Sequence, residues 1–230
     1  MRRPTLAAAL VALAACLPPD DSVERGAIYA ELDADALVHD FGAAVVTVER
    51  VVVLAGSAVP DCHVTYYVDR PAPPVAVVDL AKPYVIEHRG LDERNCRING
   101  GFIKVEGTPT RGPGVTDEDW ALLWGAGGGD AGAARVVVRI DYPFSNGARP
   151  ARFDLVFRDL RGSELGVTEV PSGGKTDIAY GWSSFDLAAR LLSTSSLDRD
   201  RDGVIRADEL GPGTRELVRA TVANGWHRTR

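Results

Sequence analysis

The sequence predicts a mainly β protein: an antiparallel β-sandwich-like domain over residues 27–180, then a small α-helical subdomain over 181–230. Two observations predict it. Runs rich in Val, Ile, Tyr and Phe recur from about Gly26 to Ala179, punctuated by Gly, Pro and Asn, with no long helical pattern alternating between them. After Gly181 the apolar spacing changes to that of a helix. Many short strands without intervening long helices favour two packed sheets over an α/β sheet.

The strand-like runs are 44–54, 63–68, 75–80, 102–105, 135–142 and 152–157. Alternation is clearest in Arg152-Phe153-Asp154-Leu155-Val156-Phe157, whereas 135–142 reads as a more deeply buried strand. Asn146-Gly147 lies between these two runs and predicts an antiparallel hairpin, and Asn99-Gly100-Gly101 is a second turn signal. One helix interrupts the strands: Thr116 caps it, Asp119 is the capping-box acid, and Gly125 ends it. Trp120 and Trp124, one turn apart, read as core or staple residues before a sugar-stacking platform. Gly125-Ala126-Gly127-Gly128-Gly129 reads as a flexible loop.

In the C-terminal part, Ser183 or Ser184 can cap a helix in which Phe185, Ala188, Ala189 and Leu192 recur at helical spacing. A second helix is expected to start near Ala207 and to break at Gly211-Pro212-Gly213. Thr214 then caps a last helix to Asn224-Gly225. Between the first two lie the twelve residues Asp198-Arg199-Asp200-Arg201-Asp202-Gly203-Val204-Ile205-Arg206-Ala207-Asp208-Glu209. They carry acids at positions 1, 3 and 5, glycine at 6, an aliphatic residue at 8 and glutamate at 12, the pattern of an EF-hand calcium loop.

The chemistry follows from the ion. Calcium is a hard cation that takes roughly six to eight oxygens at about 2.3–2.6 Å. Asp198, Asp200 and Asp202 offer carboxylates, Val204 its carbonyl, and Glu209 closes the shell as a bidentate ligand. Arg206 stands at position 9 and is a poor ligand, so a water is expected at that vertex. Arg199 and Arg201 are expected to point outward. The loop has five acidic and three basic residues, hence a net charge of −2. Ile205 normally pairs with a partner loop. No second loop exists here, because Asp33 and Asp35 lack the glycine and the terminal glutamate, so Ile205 must pair with another part of this chain or with a second molecule. A lone loop is expected to bind in the range of about 10⁻⁴–10⁻³ M.

The N-terminus reads as an export signal. Met1-Arg2-Arg3 is basic, and residues 5–15 are an apolar run too short to span a bilayer. It ends in Leu13-Ala14-Ala15-Cys16, which resembles a bacterial lipobox; that resemblance implies residues 1–15 as the signal peptide, 16–26 as a tether and a lipid on Cys16, with an ordinary secretory signal as the alternative. Three cysteines leave an odd one in an exported chain. If Cys16 carries lipid, Cys62 and Cys96 remain as a disulfide pair; the rival is a metal site of Cys62, His63 and Cys96.

The formal charge is −6, moving to about −8 once Arg2 and Arg3 leave with the leader, which argues against a nucleic-acid partner. Enzyme signatures are missing. Gly173-Gly174-Lys175-Thr176 has the tail of a P-loop but Glu169 stands where its first glycine is required, so no nucleotide is expected. There is no G-x-S-x-G elbow and no H-E-x-x-H. His39, His63, His88 and His227 stand singly, and Asp117-Glu118-Asp119 is explained by helix capping.

The order of these parts resembles that of bacterial lipoproteins of a kind common in myxobacteria. The residues that carry the resemblance are Leu13–Cys16, the run Thr116-Asp117-Glu118-Asp119-Trp120-Ala121-Leu122-Leu123, and Asp198–Glu209. It implies a cysteine bearing acyl chains such as palmitate, and Leu17 after it implies the outer membrane. It implies no activity. The expectation is therefore a non-catalytic calcium-binding envelope lipoprotein whose β domain binds a protein or glycan. The alternatives are a secreted hydrolase with an unrecognised site and a dockerin-like docking module.

Overall fold

The computed structural model describes residues 26–56, 60–62, 75–91, 95–99, 108–125, 132–144, 147–160, 164–169, 175–194 and 198–229. The leader, the tether with Cys16, and the expected strands 63–68 and 102–105 lie outside them. The described chain is mainly β. One sheet runs β14 (Trp226–Arg228), β12 (Lys175–Trp182), β1 (Gly26–Ala34), β6 (Tyr84–Leu91). A second runs β13 (Val204–Arg206), β10 (Ala151–Leu160), β9 (Gly132–Asp141), β3 (Val45–Gly56), β5 (Val75–Asp79), β8 (Thr110–Arg111), with β2 (Val38–Asp40) also on β3. A third holds β11 (Glu164–Glu169), β7 (Asn95–Asn99) and β4 (Pro60–Cys62). The helices are α1 (Asp117–Trp120, continued by a π turn over Ala121–Gly125), α2 (Phe185–Leu192) and α3 (Pro212–Asn224).

The first two sheets are mixed, which corrects the purely antiparallel expectation: β1 pairs with β12, β10 with β13, and β5 with β8 in parallel. Strands this far apart in sequence are not joined by a tight turn, so nothing local dictates their direction. The predicted hairpin is present, with β9 and β10 antiparallel and Phe153 opposite Val138.

One core takes side chains from the first two sheets. Leu32, Ile178, Tyr180 and Trp182 enter from the first; Val46, Val136, Val138, Phe153 and Leu155 enter from the second. A bulge decides which residues of β3 go inside. Val46 and Val48 point to this core, the register slips between Val48 and Arg50, and Val51 and Val53 continue the same face. One extra residue reverses side-chain parity. Val52 and Leu54 therefore face outward, into a smaller cluster with Val77, Val115, Leu123 and Ala133 beneath α1. Trp120 and Trp124 pack on that cluster, as core readings require.

The bulge also aims Arg50 at α1. Asp119, fully buried, is more than a cap: its carboxylate accepts from Arg50 at 2.5 Å, from Arg135 at 3.0 Å, and from the Thr116 amide and hydroxyl at 2.9 and 2.7 Å. Arg135 in turn grips Asp154 with two bonds, at 2.9 and 2.7 Å, and reaches Glu118 at 3.1 Å. Burial alone would raise the Asp119 carboxyl, but the Thr116 hydrogen bonds and the two guanidinium groups outweigh it and hold it below the ordinary range. α1 is fastened to β3 and β9 by this network.

The C-terminal part does not form its own core. Leu187, Ala188 and Leu191 of α2, Ile205 and Leu210, Val218 and Val222 of α3, and Trp226 all belong to the main cluster. The expected boundary at residue 180 thus separates no two cores, because β13 and β14 extend the two main sheets. Phe185, expected on the buried face of its helix, is 54% exposed and leans on His39 and Phe41. Pro212 and Gly213 do not break a helix. They open α3, with Gly211 as its N-cap, since a first-turn amide has no intrahelical acceptor to lose. The Trp182 indole donates to the Val222 carbonyl at 3.1 Å, and a Cβ at Gly225 would lie 2.6 Å from that indole nitrogen, so the turn after α3 requires glycine.

Removing Asp119 takes a buried carboxylate from both Arg50 and Arg135. Asp119→Ala is expected to cost about 3–5 kcal/mol in urea unfolding, while Asp117→Ala, which removes only the exposed partner of Arg111, costs about 1 kcal/mol or less. Because Asp119 is held below its unfolded pKa, its share is present above about pH 4 and is lost as pH falls through the folded value.

Candidate metal centre

The twelve residues between α2 and α3 fold as a tight, acid-lined loop. The described backbone enters at Asp198, and two residues take left-handed conformations, Arg201 (φ 63°) and Gly203 (φ 87°). Glycine does this at little cost, which is the reason for glycine at the sixth position. Each aspartate ties one oxygen to the loop's own backbone. Asp198 accepts from the Gly203 amide at 3.1 Å, Asp200 from Asp202 at 3.1 Å, and Asp202 from Val204 at 2.7 Å. These bonds orient the three carboxylates inward, and one oxygen from each lies within 4.8 Å of the others.

The donor set fits a hard divalent cation. Asp198 Oδ1 is buried and has no hydrogen-bond partner among the described residues. An orphaned carboxylate oxygen of this kind is costly unless a cation satisfies it. Like charges gathered this closely also repel unless a cation sits among them.

The remaining expected ligands divide. Val204 places its carbonyl beside the cluster, 3.4 Å from a guanidinium nitrogen of Arg206. Glu209 falls outside the group of three. Its two oxygens accept from the backbone amides of Arg199 at 3.1 Å and Arg206 at 2.7 Å, stitching the loop's end to its start. Arg206 stands at the ninth position of the loop, where a water ligand is expected. Its side chain turns inward, donating to Asp202 at 2.7 Å and lying 3.9 Å from Asp200. That guanidinium, with the Val204 amide, holds the Asp202 carboxyl below its ordinary range.

Ile205 has found its partner within the chain. β13 adds to the edge of the second sheet, pairing Val204, Ile205 and Arg206 in parallel with Arg152, Phe153 and Asp154. Ile205 is 1% exposed and sits in the main core. The partner that the eighth position needs is thus a sheet edge of the same chain. The sequence signalled that a partner was needed but not where it was.

Other sequence-level candidates resolve as structure. His39 Nε2 lies 2.6 Å from the Ser184 hydroxyl, a pairing that sequence spacing did not reveal. Ser184 is fully buried and donates its one proton to the Ala36 carbonyl at 2.8 Å, so His39 must donate to it. A general base needs the opposite direction. Asp79 is shifted up by burial and Asp119 down; both are buried, and Asp119 is committed to ion pairs. His227 lies 3.6 Å from Asp35 at the surface. The side chains of His63 and His88 lie outside the described residues.

Strands β4 and β7 set Cys62 opposite Cys96 in their antiparallel register. An open cleft of about 840 Å³ lies beside the acid-lined loop, lined by Arg158, Asp159, Arg199, Arg215, Glu216 and Arg219 among others. Among the described residues no helix is long and apolar enough to cross a membrane. Compared with known proteins, the chain matches no family model, no curated protein and no solved structure.

Ile205 is the hinge between loop and sheet, and Ile205→Ala should cost about 2–5 kcal/mol in denaturant unfolding. A loss below about 0.5 kcal/mol would mean that β13 contributes little to the fold.

Proposed function

We propose that this protein is a non-catalytic, calcium-binding lipoprotein of the cell envelope. It is anchored through an acylated Cys16, and calcium braces the C-terminal helices against a β-sandwich-like body that binds a protein or glycan. The observation that carries the calcium reading is the loop itself: three inward carboxylates, one with a buried and orphaned oxygen, on a complete twelve-residue motif.

Brace is favoured over docking by the position of Ile205. The residue that a dockerin-like partner would have to engage is buried against Phe153. The ion would hold together the loop that joins α2, β13 and α3, and so reinforce the edge of the second sheet. The sandwich reading rests on the shared core of the first two sheets, and the partner reading on the polar cleft beside the loop. The lipid anchor rests on the lipobox-like Leu13–Cys16 and on cysteine parity.

The same parity leaves Cys62 and Cys96 as a disulfide. Opposed residues of an antiparallel ladder have Cα atoms about 4.5–5.5 Å apart, within the span of about 4.4–6.8 Å that a disulfide bridges. Peptide mapping of the unreduced chain should return residues 62 and 96 linked. Free thiols at both positions would remove the bond.

A brace binds only the folded state. With an affinity of about 10⁻⁴–10⁻³ M, calcium at about 10 mM should add roughly 1.5–2.5 kcal/mol. For the full chain in detergent that is a rise of about 3–10 °C in Tm over EDTA, absent in Asp198→Ala. An unchanged Tm together with no heat of binding in calorimetry would end the calcium reading.

A further inference from the structure

We propose that Arg206 is a tethered counter-ion that occupies the calcium loop when the metal is away and must leave before the metal can bind. The proposal rests on the calcium reading above and adds an internal competitor to it. Three observations converge on this residue. Its Nη1 donates to Asp202 at 2.7 Å and approaches the Val204 carbonyl at 3.4 Å and Asp200 at 3.9 Å, so one nitrogen reaches three of the groups expected to ligate the ion. Its own backbone is fixed, since Arg206 ends β13 opposite Asp154 and its amide donates to Glu209 at 2.7 Å. The guanidinium can therefore swing away on its side chain without moving the strand. Finally, Asp198 Oδ1 stays buried without a partner, so the guanidinium satisfies the cluster only in part.

The charges give the arrangement a consequence. With five acids and three arginines, the loop carries −2, and bound calcium brings it to neutrality. A metal-free loop without Arg206 would carry −3 around three close carboxylates, which favours opening of the loop. Arg206 keeps the empty loop folded and so preserves the Ile205–Phe153 bridge. In return the ion must displace a charge-assisted hydrogen bond, which weakens its affinity. Arg199 and Arg201 do not share this role, because neither side chain donates to a loop carboxylate among the described residues. The device suits a structural site in surroundings where calcium is abundant: the fold is held at all times, by the guanidinium or by the metal.

Calcium titration of the full chain in detergent, followed by calorimetry, tests the competitor. Arg206→Gln should lower the calcium Kd about three- to ten-fold, the scale of one exposed charge-assisted pair plus relief of cation repulsion. Arg206→Lys should fall between, as a point charge without the planar fork. Arg199→Gln removes the same net charge from the same loop and should change Kd by less than about two-fold. A second readout needs no metal. In EDTA, Arg206→Gln should lower Tm and speed hydrogen exchange at the loop amides, whereas Arg199→Gln should do neither. Equal gains in affinity from Arg206→Gln and Arg199→Gln would reduce the effect to bulk charge and overturn the proposal. So would wild-type affinity in Arg206→Gln. Absence of calcium binding in both wild type and Arg206→Gln would overturn the calcium reading itself, and the competitor with it.

Discussion

The pairing of Ile205 with Phe153 is the contact on which the C-terminal part depends. A single acid-lined loop has no twin to brace its eighth position, and an aliphatic residue left on an unpaired strand edge is a liability. The second sheet supplies the missing partner at the free edge of β10. That one bridge places the loop and sets the exit of the chain toward α3. It also draws α2 and α3 into the main core, where Leu191, Val218 and Val222 pack. The acid-lined loop is thus an extension of the β body and not an appendage to it.

A second constraint works on the opposite face of the same sheet. The bulge at Glu49 and Arg50 reverses the parity of β3, which hands Val52 and Leu54 to the outer cluster and Arg50 to Asp119. The ion network around Asp119 and Arg135 then ties α1 across β3, β9 and β10. Buried charges are stabilising only when each partner is satisfied, and here Arg135 makes four hydrogen bonds to three carboxylates. The sheet is therefore covered on both faces, which accounts for a β9 that is buried almost throughout.

Much of this was legible in the residues. The hairpin of β9 and β10 follows from two strand-like runs around Asn146-Gly147, and the α1 cap from Thr116 and Asp119. The spacing of Asp198, Asp200 and Asp202 announced three convergent carboxylates, and the loop closes them within 4.8 Å. Other features had no local signal. The bulge at Glu49-Arg50 is one, because parity is a property of pairing and not of one strand. β12 and β14 carry little alternation, because their role comes from the strands they pair with. Gly211-Pro212-Gly213 reads as a breaker from composition alone; it becomes a helix start because the preceding turn already ends at Leu210.

What the sequence determined by itself is local chemistry: which segments form strands, where α1 is capped, and which oxygens the loop can offer. Those properties depend on residues within a few positions of one another, so spacing is enough to read them. The tertiary structure decided the rest: the parallel pairings, the partner of Ile205, and the inward turn of Arg206 onto Asp202. Each is a contact whose partner is chosen by packing and electrostatics in three dimensions. For Arg206 the difference is one of kind. In the sequence it is a poor ligand at the ninth position; in the folded loop it is a cation among carboxylates, because the strand that carries it also points it at the site.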